Sequence, residues 1–192
     1  MDRKLLAWGR AAAARTSGIP SLWLFTDTER LPDPLMAVAR LPKGLAGVVF
    51  RHDVHPDRES LALAIAKICR ARRLVLVVAG DPRLAARLRA GVHLRGGIWP
   101  SPVRVGGFVT SSAHTAADLR RAARSGARLA FLSPAFATAS HSGAPHLGVA
   151  RWSALARGAA IQVAALGGID GASIRRLPRP LCRGAGAIGA LA

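Results

Sequence analysis

The chain has 192 residues, enough for one domain with a substantial core. Its 51% hydrophobic content and mean hydropathy of +0.25 exclude a disordered chain. No apolar run approaches the ~18 residues of a membrane span. The net charge of +18 suits an anionic partner. However, Lys occurs only at positions 4, 43 and 67, and the arginines are scattered over expected helix faces. No aromatic stripe interleaves with them, as single-strand binding requires. A membrane partner is therefore not expected, and nucleic acid is the weaker reading of the charge.

Cys69 and Cys182 make no disulfide framework, so reduced thiols and a cytoplasmic location are expected. Residues 1–18 read as an N-terminal capping segment with a helix over 3–15, ended by Ser17-Gly-Ile-Pro20. Ser21–Thr26 is a compact apolar run of strand length. Leu35–Arg40 is a short helix, and Ala46–Arg51 a second strand. Asp57 is placed to cap a helix whose Leu61, Ile65 and Ile68 share one face. Leu74–Ala79 is the third strand, and a short helix with Leu84 and Leu88 follows it. Gly91–Leu94 and Gly107–Thr110 are the fourth and fifth strands.

Thr115-Ala-Ala-Asp118 is a capping box, and Gly126 is positioned to end its helix. Leu129–Leu132 is the sixth strand, 150–157 a helix, and Ile161–Leu166 the seventh strand. Asp170 heads a short helix to Leu177, and 185–188 is the eighth strand. Strands alternating with helices imply parallel βαβ units. Eight strands favour a closed α/β barrel, a compact (β/α)8 TIM barrel of one domain over 1–192. No normal last outer helix follows strand eight, and helix 3–15 is expected to cover that flank or the barrel bottom.

In such barrels the site lies at the strands' C-terminal ends, with phosphate held after strands seven and eight. That rule brings Asp27, Arg51, Asp81, His93, Ser112, His114, Ser133 and Thr138 to one rim with Gly167, Gly168 and the 184–189 segment that includes Gly186. The plain alternatives are that Asp27 and Asp81 cap turns and that His93, inside a strand, is a core residue. Ser133, Thr138 and Ser140 supply hydroxyls, and His141 a proton or charge. Glycines let backbone approach an anion closely. Walker, HExxH and Cys/His metal patterns are absent from the sequence.

Leu24-Phe-Thr-Asp27, Gly91-Val-His-Leu94, Ser112-Ala-His-Thr115, Ser133-Pro-Ala-Phe-Ala-Thr138 and Ala165-Leu-Gly-Gly-Ile169 occur in the order and spacing of one family. From Leu22 onward the chain resembles the thiamine phosphate synthase and thiazole tautomerase (TenI-like) barrels. The resemblance implies thiamine biosynthesis, with thiazole phosphate and a pyrimidine diphosphate as ligands. A synthase joins the two with release of pyrophosphate, using Mg²⁺ and basic groups. A tautomerase acts on carboxy-thiazole phosphate without a metal, and His114 matches its histidine.

The chain departs from the synthase pattern at several positions. Arg51 matches, but Val49 replaces the expected Gln and Asp53 the expected Lys. Asp81 matches the first metal Asp, while Gly80 replaces its Asn neighbour. Gly96, Gly97 and Ile98 stand where the second metal Asp belongs, and His141 where a Lys belongs. The working reading is a divergent synthase-like transferase, with Arg51, His114 and His141 catalytic and Asp81 as the metal ligand. Ser112, Ser133, Thr138, Ser140, Gly167, Gly168 and Gly186 would bind the phosphate ligand. The alternatives are a tautomerase and a non-catalytic phosphate-ligand or nucleic-acid-binding protein. Association as a homodimer is left open.

Overall fold

A computed structural model describes residues 1–14, 18–102, 106–138, 143 and 145–192. The elements run α1 (Arg3–Ala13), β1 (Leu22–Phe25), α2 (Leu35–Arg40), β2 (Ala46–Phe50), α3 (Arg58–Arg72), β3 (Val75–Ala79), α4 (Pro82–Leu88), β4 (Gly91–Leu94), β5 (Val109–Ala113), α5 (Ala116–Arg124), β6 (Leu129–Leu132), α6 (Gly148–Arg157), β7 (Gln162–Leu166) and β8 (Cys182–Ala187). All eight strands are parallel and close as β1 through β8 in chain order. This is the compact TIM barrel expected from the alternation of elements. The β7–β8 crossover carries a 3₁₀ turn at Ser173–Arg176, and another turn, Gly189–Leu191, follows β8.

Strand periodicity sorts the core into two layers. Trp23, Phe25, Val49, Val77, Ala79, Leu129, Phe131 and Ala164 fill the barrel interior. Their sequence neighbours Leu22, Leu24, Val48, Val78, Ala130 and Leu132 face the helices. Phe25 meets the Phe131 ring edge-on at 4.8 Å, and Trp23 meets it at 5.5 Å. Such large rings fit because glycines face them. A Cβ on Gly47 would lie 2.4 Å from the Trp23 ring, and one on Gly186 would lie 2.9 Å from Phe25.

Local signals place most helix ends. The Thr115 hydroxyl accepts the Asp118 N–H, and the Asp118 carboxylate accepts the Thr115 N–H at 3.0 Å, which completes the capping box. Gly126, at φ 79°, follows the end of α5 as expected. Asp57 precedes α3 but makes no side-chain capping bond, so that expectation is corrected.

Two strands depart from their expected bounds by more than one residue. β5 starts two residues later and runs three further, through Ser111, Ser112 and Ala113, and both serine hydroxyls are satisfied there. Gly97 N–H donates to Ser111 Oγ and Gly96 N–H to Ser112 Oγ. β8 starts at Cys182, where its Gly and Ala residues conceal the strand from hydrophobic periodicity.

Helix α1 covers the flank beside β1 and β8. Leu5, Trp8 and Ala12 form its buried stripe. Ser21 Oγ donates to Gly9 O at 2.7 Å, and a Cβ on Gly9 would collide with Leu22 at 2.5 Å. No helix among the described residues is long and apolar enough to cross a membrane.

Candidate functional site

A cavity of about 740 Å³ opens at the C-terminal rim, between the ends of β1 and β2 and those of β5 to β8. Arg51, His114, Ser133, Thr138, Gly167, Gly168 and Gly186 all line it. Sequence order scattered these residues over more than 130 positions, and barrel closure gathers them.

His114 follows β5 and is held from two sides. Its backbone N–H donates to Asp118 at 2.9 Å, and its ring Nδ1 lies 2.8 Å from the Ser133 carbonyl oxygen. A carbonyl can only accept, so Nδ1 carries the proton and Nε2 is the basic nitrogen. The Ser133 hydroxyl lies 3.4 Å from the same Nδ1.

The loop after β7 forms the next wall beyond the β6 loop. Gly167 and Gly168 have φ of 87° and 64°, conformations that L side chains rarely adopt. The Leu166 and Gly167 carbonyls accept the N–H groups of Ala135 and Phe136 at 2.8 and 3.0 Å. Because a trans peptide sets N–H opposite C=O, the Gly167 and Gly168 N–H groups point away from that loop. Backbone donors arranged in this way suit an oxyanion such as a phosphate. Gly186 lines the cavity from within a strand rather than from a loop. It sits inside β8 and leaves room for Phe25.

Arg51 extends from the end of β2 and donates to Asp27 Oδ2 at 2.8 Å. Arg30, which the motifs did not single out, also lines the cavity and donates to the same oxygen at 3.0 Å. Its only sequence signal is the Asp27-x-x-Arg30 spacing. Burial opposes the Asp27 charge, but hydrogen bonds from Arg30 and the charges of Arg30 and Arg51 outweigh it and hold the pKa at about 2. Phe136, Ile169 and Ile188 add apolar walls. The Arg176 guanidinium lies 4.9 Å from the Phe136 ring centre.

Other expected residues lie outside the cavity. Ser112 Oγ accepts Gly96 N–H at 3.0 Å and supports a backbone turn. His93 is buried in the interior with Nδ1 2.8 Å from Thr110 Oγ1, as a core histidine would be. Ser140 and His141 fall outside the described residues.

A sequence profile described as thiamine monophosphate synthase matches residues 22–191. The chain belongs to that family. Solved structures agree on the fold. A thiamine phosphate pyrophosphorylase from Pyrococcus furiosus is 20% identical, with a TM-score of 0.71 over 88% of this chain and 86% of that one. A thiamine phosphate pyrophosphorylase from Bacteroides thetaiotaomicron is also 20% identical, with a TM-score of 0.61 over 90% and 84%. A structure titled native KDPGal is 18% identical, with a TM-score of 0.58 over 90% and 84%. No curated protein matches the chain.

The family implies Mg²⁺, and the donor set here does not fit it. Asp81 Oδ1 accepts Leu84 N–H at 2.9 Å, which caps α4, and Oδ2 accepts Arg58 Nη1 at 2.7 Å. Burial opposes the Asp81 charge, and these hydrogen bonds with the Arg58 charge outweigh it, lowering the pKa. Among the described residues no group of three His, Cys, Asp or Glu side chains could hold a metal ion. Mg²⁺ needs near-octahedral oxygen ligands, and both oxygens of the matched carboxylate are engaged.

Proposed function

We propose that this member of a thiamine-biosynthesis family binds a thiazole phosphate in the rim cavity and moves a proton on its ring, as a thiazole tautomerase does. The observation that carries the reading is the His114–Ser133 contact. It turns the imidazole so that Nε2, the nitrogen not engaged by the Ser133 carbonyl, is free to take a proton beside a cavity lined by Gly167 and Gly168. The phosphate would anchor at the glycine N–H groups. Nε2 would remove a proton from one ring position and return it at another, leaving the atom count unchanged. The apolar walls would exclude water from the transfer.

A second reading, the synthase-like transferase, draws support from Arg51. Its guanidinium lines the cavity and could neutralise a departing pyrophosphate. The same reading would need pyrimidine diphosphate as co-substrate.

Product analysis separates the two. Carboxy-thiazole phosphate and pyrimidine diphosphate are supplied separately and together, with and without Mg²⁺. Isomerisation of the thiazole alone, lost in His114→Ala, is the expected result. Thiamine phosphate formed from the pair and lost in Arg51→Ala would establish the synthase. Neither product, with thiazole phosphate still bound, would leave a ligand-binding protein on this fold.

A further inference from the structure

The β2–β4 side of the mouth is built differently from the cavity side. Four charged side chains meet there. Arg58 Nη1 donates to Asp81 Oδ2 at 2.7 Å, and Arg58 Nη2 lies 3.6 Å from Asp53 Oδ1. Arg95, at the end of β4, pairs with Asp53 from the other side. Two carboxylates and two guanidiniums give this chain of ion pairs no formal net charge. It joins the loop after β2, the loop after β3 and the end of β4.

Arg58 links the two carboxylates. It is the first residue of α3, where the helix dipole disfavours a cation. Its Nε is buried without a hydrogen-bond partner. Its guanidinium lies 5.7 Å from the Phe50 ring centre. Neither the helix nor the Nε environment favours this placement, so the two carboxylates and the aromatic face must hold it. Asp53 stands where the synthase pattern has a lysine. The chain therefore has an additional anion on this rim and an arginine that satisfies it.

We propose that the Arg58 guanidinium replaces a divalent cation at this rim. It cross-links Asp53 and Asp81 as a bound metal ion would, and the mouth is assembled without Mg²⁺. A planar fork with five fixed N–H donors suits the task, since it can hold two carboxylates at once. The proposal concerns how the rim is built and does not depend on which reaction the cavity performs.

Mn²⁺, read by the loss of its free-ion paramagnetic resonance signal, tests this without an activity assay. The wild-type chain should leave that signal unchanged. Arg58→Ala should free Asp81 and one oxygen of Asp53 and remove about one Mn²⁺ per chain, because the cluster, with Arg95 alone against two carboxylates, is left with a net negative charge that recruits a cation. Adding Asp81→Asn to Arg58→Ala should abolish the uptake. Arg58→Lys, which keeps one cation in place, should behave as wild type. Two results would overturn the proposal: one Mn²⁺ bound by the wild type and lost in Asp81→Asn, or no uptake by folded Arg58→Ala. Should Arg58→Ala fail to fold, the wild-type and Arg58→Lys measurements decide, and Mn²⁺ uptake by either overturns it.

Discussion

Asp2 and Gly171 are 169 positions apart in sequence, yet Asp2 Oδ2 accepts the Gly171 N–H at 2.7 Å. The other carboxylate oxygen accepts the N–H groups of Lys4 and Leu5, capping α1. The Asp2 backbone N–H donates to Ala190 O at 2.8 Å. One residue thus ties the first helix to the loops after β7 and β8, and both loops line the cavity. The Gly171 hydrogen bond, with those from Leu5 and Lys4, lowers the Asp2 pKa. Asp2→Ala should cost about 1 kcal/mol, the usual value of an N-cap. It should also raise the Kd for a phosphate ligand several-fold. Urea unfolding and ligand titration check both effects, and an unchanged Kd would show that the loops hold their shape without α1.

Leu5 lies fully buried on the α1 stripe. Leu5→Ala should cost about 2–5 kcal/mol by urea unfolding, as for other core leucines. A cost near zero would mean that α1 is an accessory to the barrel rather than part of its wall.

A Cβ on Gly168 would lie 2.3 Å from Ala137 O, and the residue already has φ of 64°. Gly168→Ala is expected to destabilise by more than about 1 kcal/mol, since both backbone strain and overlap must be relieved. Loss of phosphate-ligand affinity should accompany it. Calorimetric titration with the same ligand would expose the error if affinity held while stability fell.

His114 should separate binding from chemistry. His114→Gln is expected to lower turnover by about 10²–10⁴-fold, the range for a general acid–base group. Ligand Kd should stay within a few-fold of wild type, because the proposed phosphate anchor is the Gly167–Gly168 backbone and not the imidazole. Equal losses in binding and turnover would make His114 a binding residue.

Stability should fall on mild acidification. Burial, then the charges of Arg51 and Arg95, push the His93 pKa down to about 3. Burial also lowers that of His52, whose ring lies 2.9 Å from Thr26 Oγ1 and 3.2 Å from Leu31 O. An unfolded histidine titrates near ~6.5. For His93, between that value and about 3, the unfolded chain binds a proton that the folded chain refuses. Stability is therefore full above the unfolded pKa and declines as pH drops through this window. The slope approaches ~1.4 kcal/mol per pH unit for one such histidine. Urea midpoints at pH 7.5 and pH 5 should differ, and His93→Gln should narrow the gap. Coincident midpoints in the wild type would refute it.

The barrel was legible wherever apolar residues and punctuation coincided. Leu129–Leu132 and Gly91–Leu94 were bounded to the residue, as was α2. β5 was misjudged because its Ser and Thr side chains look like loop until their hydrogen bonds are known. Arg30 was missed because an i, i+3 Asp–Arg spacing is common in ordinary turns and does not by itself point to a cavity. Asp81 was readable as a rim carboxylate, but its engagement with Arg58 depends on where α3 lies beside β3.

The sequence alone determined the parallel α/β alternation, the family and the strand ends that carry His114, Arg51 and the Gly167–Gly168 pair. These follow from local periodicity, caps and short motifs, each contained within a few neighbouring residues. Only the tertiary structure decided the tautomer of His114, the clamp of Asp2 on the loops after β7 and β8, and the Arg58 bridge between Asp53 and Asp81. Each of these depends on an ångström-scale distance between residues far apart in the chain. Barrel closure sets such distances, and local sequence does not encode them.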